Sequence, residues 1–132
     1  MSMIELQNVS KNWGATFAMR DVSLVAAAGQ FLVLLGPSGC GKSTTLRVIA
    51  GLETVGSGRV LIDGAEVTHA PPAARGLSMV FQSYALFPHL TTRENIVFGL
   101  KVRKVSAPER ERRLQRVAEL VGLTDLLPRK PS

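Results

Sequence analysis

One cysteine, Cys40, is all the thiol chemistry in 132 residues. That excludes an intramolecular disulfide framework and a cysteine-based metal cluster. Histidine is nearly as scarce, with only His69 and His89, too few beside one thiol to build a structural zinc site. Long hydrophobic runs are missing too. No apolar stretch outlasts residues 31–35 (FLVLL), far short of the ~20 residues that cross a bilayer as a helix. The opening segment MSMIELQNVS carries Glu5 and no basic start before an apolar block, so no secretory leader is expected. Aromatic residues are few, and Trp13 and Tyr84 are each the sole example of their type.

What is present points to a folded domain. Hydrophobic residues make up 45% and charged residues 20%, enough apolar surface for one compact core and against wholesale disorder. The net charge of +6 is unevenly spread. Residues 1–100 hold 7 basic and 6 acidic side chains, and residues 101–132 hold 9 and 4. A basic helix can meet nucleic acid or a membrane surface. No recognition helix or aromatic-interleaved groove accompanies this one. The basic quarter therefore reads as a solvated polar face, with no nucleic-acid partner.

Alternation predicts a strand over residues 4–9 and a second over 17–25, able to pair antiparallel, with a polar turn over 8–14 that holds Trp13. The wholly apolar run 31–35 predicts a strand covered on both faces. A helix is expected over 44–50, with Leu46, Ile49 and Ala50 on its inner face and Gly51 as its stop. Val60 to Ile62 predicts a short strand, Asp63-Gly64 a tight turn, Val67 the return, and 77–80 another short strand. Pro71-Pro72 blocks regular structure. Thr91 with Glu94, and Ser106 with Glu109, have the spacing of a capping box. Leu114, Val117, Ala118 and Val121 form a helical stripe that ends at Gly122, with Arg110, Arg112, Arg113 and Arg116 mostly outside it.

The chemistry concentrates at residues 36–43, GPSGCGKS, a full match to GxxxxGK[ST]. Gly36, Gly39 and Gly41 let successive backbone N–H groups turn inward around a polyphosphate. Pro37, Ser38 and Cys40 complete the loop, and no catalytic role is assigned to Cys40. Lys42 brings a positive charge to the β- and γ-phosphates, and the Ser43 hydroxyl suits Mg²⁺. Thr44 opens the helix whose N-terminal end faces the same anion. An apolar run before the loop and a helical pattern after it supply the context this motif requires.

From residues 36–53, GPSGCGKSTTLRVIAGLE, the chain resembles the ATPase subunits of ATP-binding-cassette (ABC) transporters. GRVLIDG at 58–64 and MVFQSYALFPHLTTRENIVFGL at 79–100 extend the likeness. It is greatest to the sugar-importer branch, the maltose and glycerol-phosphate types. The resemblance implies an α/β fold, a P-loop NTPase of the ABC ATPase type: an N-terminal portion with an antiparallel β subdomain and an incomplete core sheet. It implies ATP and Mg²⁺ as cofactors. Trp13 matches the aromatic residue that stacks on adenine, and Gln82 the glutamine that contacts Mg²⁺ and the attacking water. Residues 84–90, from Tyr84 through His89 to Leu90, match the stretch beside which a transmembrane permease subunit docks. A second ATPase subunit is the other implied partner, and the inner face of the cell membrane the implied location, peripheral and cytoplasmic. His89 is read as a turn or interface residue.

The 132 residues contain no LSGGQ-type signature, no apolar strand ending in Asp-Glu and no switch histidine. Residues 60–63 (VLID) imitate the second of these too early and read as a hairpin. The expectation is an N-terminal portion of a nucleotide-binding domain over 1–132 that does not turn over ATP by itself, part of a subunit that couples ATP hydrolysis to solute uptake. The competing expectation is a free-standing nucleotide-binding or regulatory module without ATPase activity. A signature motif and an Asp-Glu strand encoded just downstream would favour the first.

Overall fold

The computed structural model describes residues 3–131. The chain forms two compact units, one up to Met79 and one from Val80 onward.

The first unit is a four-stranded antiparallel sheet with one helix. Strands β1 (Ile4–Trp13), β2 (Thr16–Ala26), β3 (Ser57–Ile62) and β4 (Ala65–Glu66) lie in the order β2-β1-β3-β4. The expected pairing of the first two strands is present, with Ile4 opposite Ala26 and Trp13 opposite Thr16. β1 runs further than alternation indicated because it is bulged. Asn8 has a left-handed backbone (φ 49°), and the register shifts between Leu6 and Val9. The extra residue puts Leu6 and Val9, three apart, on the buried face. The expected polar turn shrinks to Gly14 and Ala15, and Trp13 ends the strand. Asp63 (φ 51°) and Gly64 (φ 78°) form the expected tight turn, and the return starts at Ala65, two residues early.

Helix α1 (Lys42–Ala50) ends on Gly51 in the left-handed conformation, as anticipated. Its inner face differs. Thr45 and Val48 are the buried residues, while Leu46 is 49% exposed. The helix meets β2 through that face, and Val48 joins Leu6, Val9, Met19 and Val60 in the core. The short Thr45 side chain lets the helix approach closely, and its hydroxyl donates to Gly41 O (2.8 Å). Ile49 packs against this core as expected, and with the displaced Leu46 it also borders an open apolar groove lined by Ile4, Leu24, Phe31 and Leu32.

Two predicted strands are not formed. Residues 31–35 and 77–80 have no regular secondary structure and belong to no ladder. Phe31 is 91% exposed and Val80 97%. An apolar sequence specifies strand character, but a ladder needs a neighbour, and no described residue pairs with either segment. The core sheet is thus incomplete, as the fold class implied.

Arg75 secures the end of α1. It follows a 3₁₀ turn at Pro72–Ala74 and is 6% exposed. Its guanidinium donates to four carbonyls, Val48 O, Ile49 O, Thr68 O and Ala70 O. Two of these lie in the last turn of α1, where the dipole is negative and carbonyls lack i+4 partners, although Val48 O also accepts from Gly51 N (3.1 Å). Burial lowers the pKa of this guanidinium.

The second unit pairs α2 (Thr92–Val102) with α3 (Ala107–Val121) around Val97, Leu114, Ala118 and Leu127. The Thr91–Glu94 capping box is complete: Glu94 N donates to Thr91 Oγ1, and Thr91 N to Glu94 Oε2 (2.7 Å). The Ser106–Glu109 box does not form, because Ser106 makes no side-chain cap. Glu109 instead accepts twice from Arg112 (both 2.7 Å) and once from Arg113 (2.6 Å), and three charge-assisted bonds outcompete one neutral N–H. Of the predicted stripe, Leu114 and Ala118 are buried, whereas Val117 and Val121 are exposed. Gly122 caps the helix as expected.

Those arginine bonds, Arg112 first and Arg113 second, depress the Glu109 pKa to about 2. A depressed carboxylate contributes stability that is fully present above its unfolded pKa, about 4.3. The contribution fades as the pH falls below that and is lost once it passes the folded value, about 2. The side-chain carboxyl resonance of Glu109 should therefore titrate near the lower value. A midpoint at the ordinary glutamate value would show that the pairs do not persist in solution.

Candidate functional site

The phosphate-loop residues lie in the first unit, on an exposed connection leading into α1. Gly39 (φ 81°) and Gly41 (φ 92°) both adopt left-handed backbone, which turns the chain back on itself and into the helix. Gly41 occupies the N-cap and so offers no side chain to the first-turn N–H groups. The first turn of α1 holds no acidic residue. Orphan N–H groups and the positive end of the helix dipole thus meet with no carboxylate competing for them.

Lys42 folds back over the loop. Its ammonium donates to Gly36 O, to Pro37 O (2.6 Å) and to Cys40 Sγ (3.4 Å). All three acceptors are neutral, so the charge is held in place but not neutralised. Ser43 is exposed and Thr44 half-buried at the start of the helix. A lysine, a serine hydroxyl and unpaired amide N–H groups form a donor set suited to a polyphosphate with its Mg²⁺. Among the described residues no group of His, Cys, Asp and Glu could hold a metal unaided, so an ion here would depend on phosphate oxygens with Ser43. Cys40 is free and exposed.

Trp13 lies in the same unit and is 55% exposed at the end of β1. Lys11 Nζ sits 4.6 Å from its ring centroid. That pairing was missed in the sequence, although two residues' separation on a strand places both side chains on one face. Arg75, Glu53 and Arg47 were missed as well, and nothing in local pattern marks them.

Gln82 belongs to the second unit, on an exposed turn closed by Tyr84 N to Phe81 O (3.3 Å). Tyr84 (φ 64°) and Ala85 (φ 51°) are consecutive left-handed non-glycine residues, a costly backbone that places Tyr84 83% exposed. Phe87 packs on Phe98 (4.6 Å between ring centroids) and edge-on to His89 (6.0 Å). Asn95 pins the segment by accepting from Phe87 N (2.9 Å) and donating to Phe87 O. No described helix is long and apolar enough to cross a membrane.

A glycine-turned loop, a lysine folded across it and a helix opening directly behind define a phosphate-loop protein. The family model described as "ABC transporter" matches residues 19–132, and the chain belongs to that family. Family membership implies ATP with Mg²⁺. Over 131 residues the chain is 48% identical to the sn-glycerol-3-phosphate import ATP-binding protein UgpC 2 of Rhizobium johnstonii, covering 99% of this chain and 38% of that protein. It is 50% identical over 131 residues to the maltose/maltodextrin import ATP-binding protein MalK of Escherichia coli K12, covering 99% of this chain and 35% of that one. The chain thus spans little more than a third of these relatives. Among solved structures, the dimeric post-hydrolysis state of the ATP-binding cassette MJ0796, bound to ADP and Pi, superposes with a TM-score of 0.84 at 30% identity. That match covers 97% of this chain and 61% of the other.

Proposed function

We propose that this chain binds Mg-ATP through Gly36, Pro37, Ser38, Gly39, Cys40, Gly41, Lys42, Ser43 and Thr44, as the nucleotide-binding portion of an importer ATPase subunit. The observation that carries this reading is the Lys42 ammonium, held over the loop by neutral acceptors only. Exchanging carbonyls for phosphate oxygens turns neutral-acceptor bonds into doubly charged ones. Backbone N–H groups of the first α1 turn hold the phosphate chain, and Ser43 supplies an oxygen for Mg²⁺. Bound Mg²⁺ would supply charge neutralisation on the β- and γ-oxygens. The exposed face of Trp13 offers a stacking surface to the base. The family resemblance alone assigns Gln82 to Mg²⁺ and water.

The subunit would couple ATP hydrolysis to uptake of a solute, a sugar or sugar phosphate by the relatives' names. It would pair with a second ATPase subunit, as the dimeric cassettes do, and dock on a permease through residues 84–90. That places it in the cytoplasm, peripheral on the inner membrane face. A chimera tests this reading: residues 1–131 should replace the matching part of MalK and restore maltose-dependent growth to a strain lacking it. The chimera carrying Lys42→Ala should not. A stable chimera that fails to support growth would contradict the assignment.

A further inference from the structure

Lys11 is drawn toward three groups at once. Its ammonium lies 4.6 Å from the Trp13 ring centroid, donates to Thr54 Oγ1 at 3.1 Å and sits 3.7 Å from Glu53. The Lys11 and Glu53 side chains are 12% and 19% exposed, so the cation is confined. Glu53 is shared with Arg47 (3.5 Å), which belongs to the last turn of α1. A continuous path therefore runs from the indole ring through Lys11 and Glu53 to the helix that follows the phosphate loop. Trp13, by contrast, stays open over more than half its surface.

We propose that Lys11 is a positioning residue: it covers one face of the Trp13 indole and ties that ring, through Glu53 and Arg47, to α1, leaving the opposite ring face to receive a nucleobase. This rests on the reading of Trp13 as the base-stacking residue. A free strand-end tryptophan loses rotamer freedom when a base stacks on it, whereas a ring already held against a fixed cation loses less. The cation also withdraws charge from the π-face it covers. The path to α1 fixes the ring relative to the phosphate loop, so base and phosphates are received by one preorganised frame.

Trp13 is the only tryptophan, so its fluorescence reports this ring alone. Affinities for Mg-ATP and for inorganic triphosphate should be measured by calorimetry on the whole chain and on Lys11→Gln, Lys11→Arg and Trp13→Ala, with Trp13 emission and anisotropy alongside. Lys11→Gln should weaken Mg-ATP about threefold, the scale of an exposed cation–π contact, and leave inorganic triphosphate unchanged. It should lower Trp13 anisotropy, and Lys11→Arg should restore both values. Equal losses for Mg-ATP and triphosphate would overturn the proposal, because Lys11 would then act on the loop or as a general charge. Unchanged Mg-ATP affinity in Lys11→Gln, beside a loss in Trp13→Ala, would overturn Lys11's role while sparing the stacking residue. Wild-type affinity in Trp13→Ala would overturn the stacking reading and the proposal with it.

Discussion

Replacing Lys42 with alanine is expected to weaken Mg-ATP binding by about a hundredfold, the scale of one or two charge-assisted hydrogen bonds. The physical basis is the unneutralised ammonium. Lys42 donates to two backbone carbonyls and a thiol, and among the described residues it forms no ion pair. Each of those acceptors is weaker than a phosphate oxygen, so little is lost when the side chain moves to a nucleotide. Alanine removes the loop's one side-chain cation but leaves the α1 N–H groups in place, so residual binding should persist. Folding should change little, because the hydrogen bonds that Lys42 makes are exposed to solvent. Calorimetric titration of both proteins decides the matter. Affinities within about twofold of each other would remove Lys42 from the site, since even a single neutral hydrogen bond is worth more than that in most cases.

Gly41→Ala is expected to destabilise the first unit by about 3 kcal/mol or more, and Gly39→Ala by only about 1 kcal/mol. Both residues have left-handed backbone, φ 92° and φ 81°, so both substitutions carry the same conformational penalty. Their surroundings differ. A Cβ at Gly39 meets nothing within 4 Å, whereas one at Gly41 falls well inside contact with the Ala18 carbonyl oxygen. Ala18 is part of β2, the unpaired residue of a bulge between Phe17 and Met19, which the ladder to β1 holds on either side, so its carbonyl cannot yield as a side chain would. Relief must come from displacing the start of α1, and that displacement would also misalign the N–H groups offered to phosphate. Gly41→Ala should therefore lose nucleotide affinity together with stability. Urea denaturation of the two variants gives the comparison, and equal midpoints would show that the Ala18 carbonyl does not constrain the loop.

Much of the site was legible because its requirements are local. GPSGCGKS states which backbone positions turn and which side chain carries charge, and α1 opens where the motif ends. The Thr91–Glu94 box and the Asp63-Gly64 turn were equally plain, since each is a contest among neighbours in sequence. Residues 31–35 failed as a strand for the opposite reason: apolarity proposes a ladder, but only a paired backbone makes one. The spacing of Leu6 and Val9 was obscured by the bulge at Asn8, which no period-two count anticipates. Ser106 looked like Thr91, yet its glutamate was claimed by Arg112 and Arg113. That outcome depends on charges one turn further along the helix.

Tertiary partners account for what was not legible at all. Arg75 is 27 and 26 residues away from the α1 carbonyls it holds, and its signal is only an arginine after prolines. The Glu53 bridge between Lys11 and Arg47 likewise depends on β1 and the end of α1 meeting in space. Lys11 itself could have been found, because residues two apart on a strand share a face. Reading 8–14 as a turn hid that relation.

Backbone amide chemical shifts followed through a Mg-ATP titration show where on the chain the phosphates bind. If residues 36–44 wrap the phosphates, the largest saturable shifts will fall on the N–H groups of Gly39, Cys40, Gly41, Lys42, Ser43 and Thr44. The Trp13 indole N–H will move with the same midpoint, and both responses will be lost from Lys42→Ala. Shifts centred on any other segment, or none at millimolar nucleotide, would contradict the account.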